Sequence, residues 1–438
     1  MSVTKLWLSR VAIVIGVVAL LLASIPRDAT PAGADTAVTI YSTQFTPVDE
    51  ATTFRNVILA NSPASVSFVP AADSSTYFTQ VESQVKSNKV QFNVLAGLQS
   101  DFEPLAADGM LQDLTPLMNK LKKRGFPQSF INLSKLGSKN KHYFIPWITA
   151  TYVLGVNRRA LPYLPKGAKV NKLTYDQLVA WGQNIKKKTG RAMIGFPVAG
   201  LIHRFMQGYL YPSYTKGVVR TFKSKSAVKA WQMMKKLWAV TNPQSTSYSF
   251  MQDPLLSGEV WIAWDHVARL INAASQDAND MVLVPAPRGP RGLGYMVVLG
   301  GLAIPKGAAN KAAAEKVIDY LTQNTQEINI LKRLAFFPAT RAPIPATLDT
   351  GTWTESLAVK AQQNAKGSIP ALVPVGLGAQ NAAFNKVYLD TWNRILIQNQ
   401  PIQPVLNDEG SIMAGLVQQA GAKCWYPDKP SKGPCPVG

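Results

Sequence analysis

The chain's three histidines, His142, His203 and His266, stand in separate segments, without the spacing of metal ligands. No nucleophile elbow, phosphate-binding glycine loop or H-E-x-x-H pair is present. Two carboxylates at strand ends, Asp101 and Asp265, are the pair that could oppose one another as in glycoside hydrolysis. Nothing in their sequence surroundings predicts a raised pKa. More telling are aromatic rings beside hydrogen-bonding groups. GEVWIAWDH delivers Trp264, Asp265 and His266 together, and LIHRFMQGYLYPSY carries Arg204, Phe205, Gln207, Tyr209 and Tyr211. Rings pack on the apolar C–H faces of a hydroxylated solute. Amide and charged groups meet its hydroxyls as donors and acceptors. Such a set holds a molecule without breaking a bond in it.

Alternating strands and helices must position these groups. Strands are predicted at 37–42, 65–70 and 91–96, with helices at 49–60, 77–86 and 102–107 between and after them. That order argues for a parallel α/β sheet. One long strand is expected from Phe144 to Asn157. Thr174, with Gln177 three residues on, reads as a capping box opening an amphipathic helix. Further strands are expected at 258–265, 281–285 and 295–305, and helices at 226–240 and 312–322. On a regular helix Arg204 and Tyr211, seven apart, share a face, and Tyr209 lies elsewhere.

Lys5 and Arg10 precede an apolar run, Val11 to Ser24, and Ala32-Gly33-Ala34 precedes Asp35. This is the order of a secretory signal peptide, with an uncleaved anchor as the alternative. The rest, over 400 residues, suits two domains. The net charge of +21 comes from basic residues that look scattered, with no nucleic-acid motif around them. Attraction to an anionic envelope surface is the better reading. Adaptation to an acidic habitat and solvated helix faces are the alternatives. Cys424 and Cys435, the only cysteines, lie in CWYPDKPSKGPC. In an exported chain they are expected to form a disulfide.

Several segments in order, YFIPWITATYVLGVN, LAADGML, SGEVW, YMVVLGGLAIPKGA and FFPATR, resemble the extracellular solute-binding proteins of carbohydrate ABC importers, the maltose-binding-protein-like family. The resemblance implies an α/β, two-lobed periplasmic-binding-protein fold with a ligand cleft between lobes. It implies a leader over 1–34, a first lobe over 35–150 and 300–340, and a second lobe over 151–299. The segment 341–438 would be helical, pack mainly on the second lobe and end in the disulfide-closed tail. No enzyme activity, cofactor or metal is implied, and the chain is expected to be a monomer. Its partners would be a small solute, a carbohydrate first, and ABC permease subunits in the membrane, with no nucleic acid. The absence of an N-terminal Cys excludes the lipid-anchored form of relatives.

The expected ligand groups follow strand ends and crossings. They are Gln44 after the first strand, and Gln99, Ser100 and Asp101 after the third, with Asp101 alternatively a helix cap. At the first crossing stands Trp147, alternatively core, near Thr149 and Thr151. The second lobe contributes Arg204, Gln207, Tyr209, Tyr211, Trp264, Asp265 and His266, with Asp265 alternatively a cap. Tyr295 and Gly300 at the second crossing, and Arg333 and Phe337 beyond it, complete the set. Two other readings stay open. One is an anionic solute such as a glycerophosphodiester, held by arginines among Arg204, Arg269 and Arg333. The other is a secreted carbohydrate-active hydrolase or adhesive surface protein.

Overall fold

The computed structural model describes residues 37–438. The leader expected over 1–34 lies outside the described residues. Three apolar segments form strands β1 (Val38–Ser42), β2 (Val66–Pro70) and β3 (Val94–Leu98). β1 pairs in parallel with both neighbours, through crossover helices. The long strand expected over 144–157 divides at Thr151 into β4 (Ile145–Ala150) and β5 (Tyr152–Asn157). Both are buried along nearly their whole length, which accounts for their near-continuous apolar sequence. β4 belongs to one sheet and β5 to another, so Thr151 is the crossing residue.

The remaining strands are β6 (Ile194–Gly195), β7 (Ile262–His266), β8 (Met281–Val284), β9 (Leu293–Ala303), β10 (Phe337–Pro338) and β11 (Ser368–Leu372). The first lobe is built on a sheet ordered β10-β4-β9-β3-β1-β2, with β11 also on β9; the second on β6-β7-β5-β8. β9 packs on residues 206–215 of the second lobe while pairing in the first-lobe sheet, which makes it the second crossing. Its first residues pair in parallel with β11, and Val298 onward pairs antiparallel with β3 and β4. The Thr151 hydroxyl donates to the Met296 carbonyl at 2.7 Å, tying the two crossings together.

Helix 175–189 opens on the expected capping box, with both reciprocal bonds formed, and closes at Gly190 with a left-handed φ of 72°. It packs against helix 225–238 on the second lobe. One buried apolar cluster runs through both lobes, and a second lies around Tyr41, Tyr77, Phe102 and Phe144.

The segment after residue 341 is not wholly helical, since it supplies β11 to the first sheet. Its helix 350–363 packs on helix 267–276 and β8 of the second lobe. Its helix 381–392 touches both helix 74–86 of the first lobe and helix 202–205 of the second. Cys424 and Cys435 form a disulfide. Within that loop Asp428 accepts the backbone N–H groups of Val218, Val219 and Arg220 at 2.9, 2.7 and 3.2 Å, docking the tail on the second lobe. Among the described residues no helix is long and apolar enough to cross a membrane.

Candidate functional site

The strand ends of the two lobes face one another, and the chain between β1 and the following helix sets the geometry there. Phe45 adopts a left-handed φ of 56°, a conformation uncommon for a bulky residue. Its ring enters the core against Phe54, Trp147 and Phe336, at centroid distances of 4.9, 5.5 and 5.0 Å. The residues on either side of it are left at the junction.

A cavity of about 270 Å³ lies at the ends of the first-lobe strands, lined by Thr43, Gln44, Asp73, Arg204, Asn381 and Asn385 among others. Beyond the turn at Thr46 and Pro47 is a second cavity, of about 320 Å³, lined by Glu50, Phe250, Arg269, Asn272, Lys332 and Arg333 among others. Each takes residues from both lobes. Between them the lobes meet through protein side chains. His266 lies 5.1 Å from the Tyr152 ring and 5.4 Å from Phe336.

Asp101 is buried beside a small crevice next to the first cavity, behind Thr43 and Leu98. One of its oxygens accepts the Leu98 N–H and the Thr43 hydroxyl, both at 2.8 Å. Burial raises its pKa, and those bonds and the nearby Arg204 oppose the rise. The capping alternative therefore describes its contacts. Gln44 donates to the Thr43 hydroxyl at 3.0 Å and lines the same cavity. Gln99 is buried, and Ser100 faces a small separate crevice beside Pro104 and Asn381.

Tyr209 and Tyr211 depart from the expected helical faces. A π turn at Met206–Leu210 interrupts helix 202–215. Such a turn bonds residues five apart, which rotates the following face. Tyr209 thus reaches the crossing. Its hydroxyl accepts the Tyr152 N–H at 2.9 Å and donates to the Tyr152 carbonyl at 2.7 Å. Tyr211, expected to share a face with Arg204, instead lies in the second-lobe core. There it donates to the Phe222 carbonyl and accepts from the Trp231 indole. Arg204 stays at the cavity, donating to Gln207 at 3.3 Å, and Gln207 donates to Asn385 at 2.9 Å. Burial lowers the Arg204 pKa.

Trp264 is fully buried. It stacks on Tyr152 at 4.6 Å and meets Phe205 and Tyr209 edge-on. Its ring faces are occupied by protein in this conformation, not free for a solute, and its indole N–H has no acceptor. Asp265 accepts the N–H groups of Met251 at 2.7 Å and His266 at 2.6 Å. It braces the loop before Met251 and does not cap the helix that follows. Sequence surroundings gave no reason for a raised pKa, yet burial pushes Asp265 up to about 7. His266 fills the cap position, its Nδ1 accepting the Ala268 N–H at 3.2 Å. Burial, then Arg269 and Arg204, push its pKa down to about 3. The ring is therefore neutral, with its proton on Nε2.

Trp147 is core, as its alternative had it. Tyr295 is buried where β9 pairs with β11. Gly300 was expected to let the backbone pass a ligand. Its close neighbour is instead protein: a Cβ there would meet Ile148 at 2.7 Å, and one at Gly301 would meet Phe144 at 2.2 Å. Phe337 lies on β10 and lines a third cavity, of about 440 Å³, with Phe130, Trp353 and Lys360. Arg333 is exposed on the wall of the second cavity.

The sequence reading did not single out Thr43, Asp73, Asn381, Asn385, Glu50 or Asn272. Asn381 and Asn385 are four apart, the spacing of one helical face, and that was a legible signal. Glu50 carried none. It joins the lobes by an ion pair with Arg269, whose guanidinium lies 4.6 Å over the Phe250 ring. Among the described residues no cluster of three or more His, Cys, Asp or Glu could hold a metal ion.

A search of curated protein sequences finds no match. Solved structures match over almost their whole length. Maltose-bound MalE3 from T. maritima superposes with a TM-score of 0.70 at 17% identity, covering 87% of this chain and 99% of that one. The GacH receptor of Streptomyces glaucescens, solved unliganded and with acarbose, gives 0.66 at 17%, covering 87% and 98%. UgpB from Mycobacterium tuberculosis, in complex with glycerophosphocholine, gives 0.66 at 14%, covering 87% and 99%. At these identities the likeness is one of fold, and it is the two-lobed architecture described above. The family model described as bacterial extracellular solute-binding protein matches residues 62–328, more than half of the chain, and the protein belongs to that family.

Proposed function

We propose that the protein captures a carbohydrate at the junction of its two lobes and delivers it to an ABC-type permease, catalysing no reaction itself. The observation that carries this reading is the cavity at the ends of β1, β2 and β3. Hydroxyl, amide, carboxylate and guanidinium groups from both lobes line it. Such groups satisfy hydroxyls that both donate and accept, and lobe closure buries them together. Arg204, Gln44, Asp73 and Asn385 are the residues proposed to contact the solute. Trp264, Asp265 and Tyr209 hold the second-lobe side in place.

A second reading is favoured by one observation. Arg204 lines the first cavity and Arg269 the second, so each of the two cavities at the junction carries a guanidinium group. That arrangement suits an anionic or phosphodiester solute. Thermal-shift and calorimetric screening against neutral mono- and oligosaccharides and against glycerophosphodiesters separates the two. A ligand at 100 times its dissociation constant stabilises by roughly 2.7 kcal/mol. Binding of neutral sugars, weakened in Asn385→Ala, supports the first reading. Binding of phosphodiesters alone replaces it with the second, and binding of neither class refutes both.

A further inference from the structure

The positive charge is not scattered through the fold. Between Arg158 and Lys236 the chain carries seventeen Lys and Arg and a single acid, Asp176, leaving 29 basic against 24 acidic residues elsewhere. This segment forms much of the second lobe, including helices 175–189 and 225–238, which pack on one another. Among the described residues, none of the seventeen makes an ion pair. All seven ion pairs use basic residues outside the segment. Lys187, Lys188, Arg191, Lys225, Lys229 and Lys236 are exposed. A groove of about 340 Å³ lies between the helices, with Lys229, Lys236 and Arg288 on its wall and Asp176 its only acid.

An excess of sixteen like charges within 79 residues repels itself and opposes the compact state. Opposite charge supplied by a partner relieves that repulsion. We propose that this face of the second lobe docks the protein on an anionic lipid surface, through the phosphates of the headgroups. The face has the means for electrostatic adsorption and none for insertion. None of the exposed large hydrophobic residues falls between 158 and 236. That absence also argues against single-stranded nucleic acid, which such proteins hold by stacking bases on exposed rings. Polybasic surfaces concentrate at anionic leaflets in this way, and salt releases them, because the potential decays within about 10 Å at 0.1 M. The protein would be held at the membrane by one lobe, close to its permease.

Co-sedimentation of the full chain with vesicles tests this. Vesicles of 30% phosphatidylglycerol in phosphatidylcholine should bind it at 50 mM NaCl and release it at 500 mM, and pure phosphatidylcholine should not bind it. The variant Lys187→Glu/Lys188→Glu/Lys236→Glu should bind the anionic vesicles at least tenfold more weakly. Lys120→Glu/Lys122→Glu/Lys123→Glu, the same charge change on exposed first-lobe lysines, should stay within threefold of the parent. Lys225→Glu/Lys229→Glu provides a second probe if the first variant melts early. Equal losses in the first- and second-lobe variants would reduce the effect to net charge and overturn the proposal. So would binding to neutral vesicles, no binding at low salt, or tighter binding to a DNA oligonucleotide than to the anionic vesicles.

Discussion

Replacing Glu50 by Gln should loosen lobe closure. Glu50 follows β1 on the first lobe, and Arg269 stands on helix 267–276 of the second. Their ion pair exists only while the lobes are together. The side chains are 13% and 18% exposed, so water screens the pair poorly. Arg269 rests on Phe250, also of the second lobe, and keeps that contact when the lobes part. The substitution thus costs the closed state one charge-assisted bond and the open state nothing. Such a bond is worth roughly 1.5–3 kcal/mol, which is about a 10- to 150-fold shift toward the open form. If solute binds the closed form, its affinity falls by up to that factor. Small-angle scattering without solute should give a larger radius of gyration, and calorimetry with the screened ligand a weaker dissociation constant. Arg269→Gln should act alike, and the double variant should cost little more than either single one. Unchanged scattering together with affinity within twofold of the parent would refute the argument that this pair latches the lobes.

Three other outcomes are expected. Glu327 is buried, receives the Thr340 hydroxyl, and burial pushes its pKa up to about 8 from 4.5. The fold keeps it protonated while the unfolded chain ionises, so its contribution is full below about 4.5 and lost as pH rises through 8. Glu327→Gln should therefore gain melting temperature relative to the parent as pH rises from 5 to 8.5, and a constant difference across that range would refute the linkage. Replacing Cys424 and Cys435 by Ser opens a short loop, worth roughly 2–3 kcal/mol in chain entropy. Calorimetry should show lower stability with solute affinity unchanged, since the loop docks on residues 218–220 away from the cavities. Gly300→Ala pushes a methyl against Ile148, and overpacking of this kind costs about 1–3 kcal/mol. Stability should drop in denaturant unfolding while the folded fraction binds as before; lost affinity at full stability would restore a ligand role for Gly300.

Local chemistry was readable wherever its cause lay within a few residues. Thr174, Gln177 and Gly190 bound helix 175–189 as their spacing implied, because a capping box and a left-handed stop act over one turn. The strands β1, β4, β5, β7 and β9 were visible as apolar runs, since a strand covered on both faces has no polar face to show. The disulfide followed from two cysteines in one short loop. Contacts set by distant parts of the chain were not readable. The π turn at Met206–Leu210 moved Tyr209 to the crossing and Tyr211 into the core, and neither residue's neighbours in sequence announce it. Trp264 and Asp265 looked like ligand groups because a strand delivers them to the junction. Only the packing of Tyr152, Phe205 and the Met251 backbone around them reveals that their faces and oxygens are occupied. Burial of Asp265 likewise comes from tertiary packing, with the Met251 backbone closing on it, so its raised pKa had no local cue. The basic excess between Arg158 and Lys236 is written in the sequence itself; what the structure adds is that helices 175–189 and 225–238 pack together and carry it on one lobe. Periodicity and capping act over a turn or two of chain; which side chains meet across a junction is decided by closure of the whole fold, where groups tens to hundreds of residues apart compete for the same space.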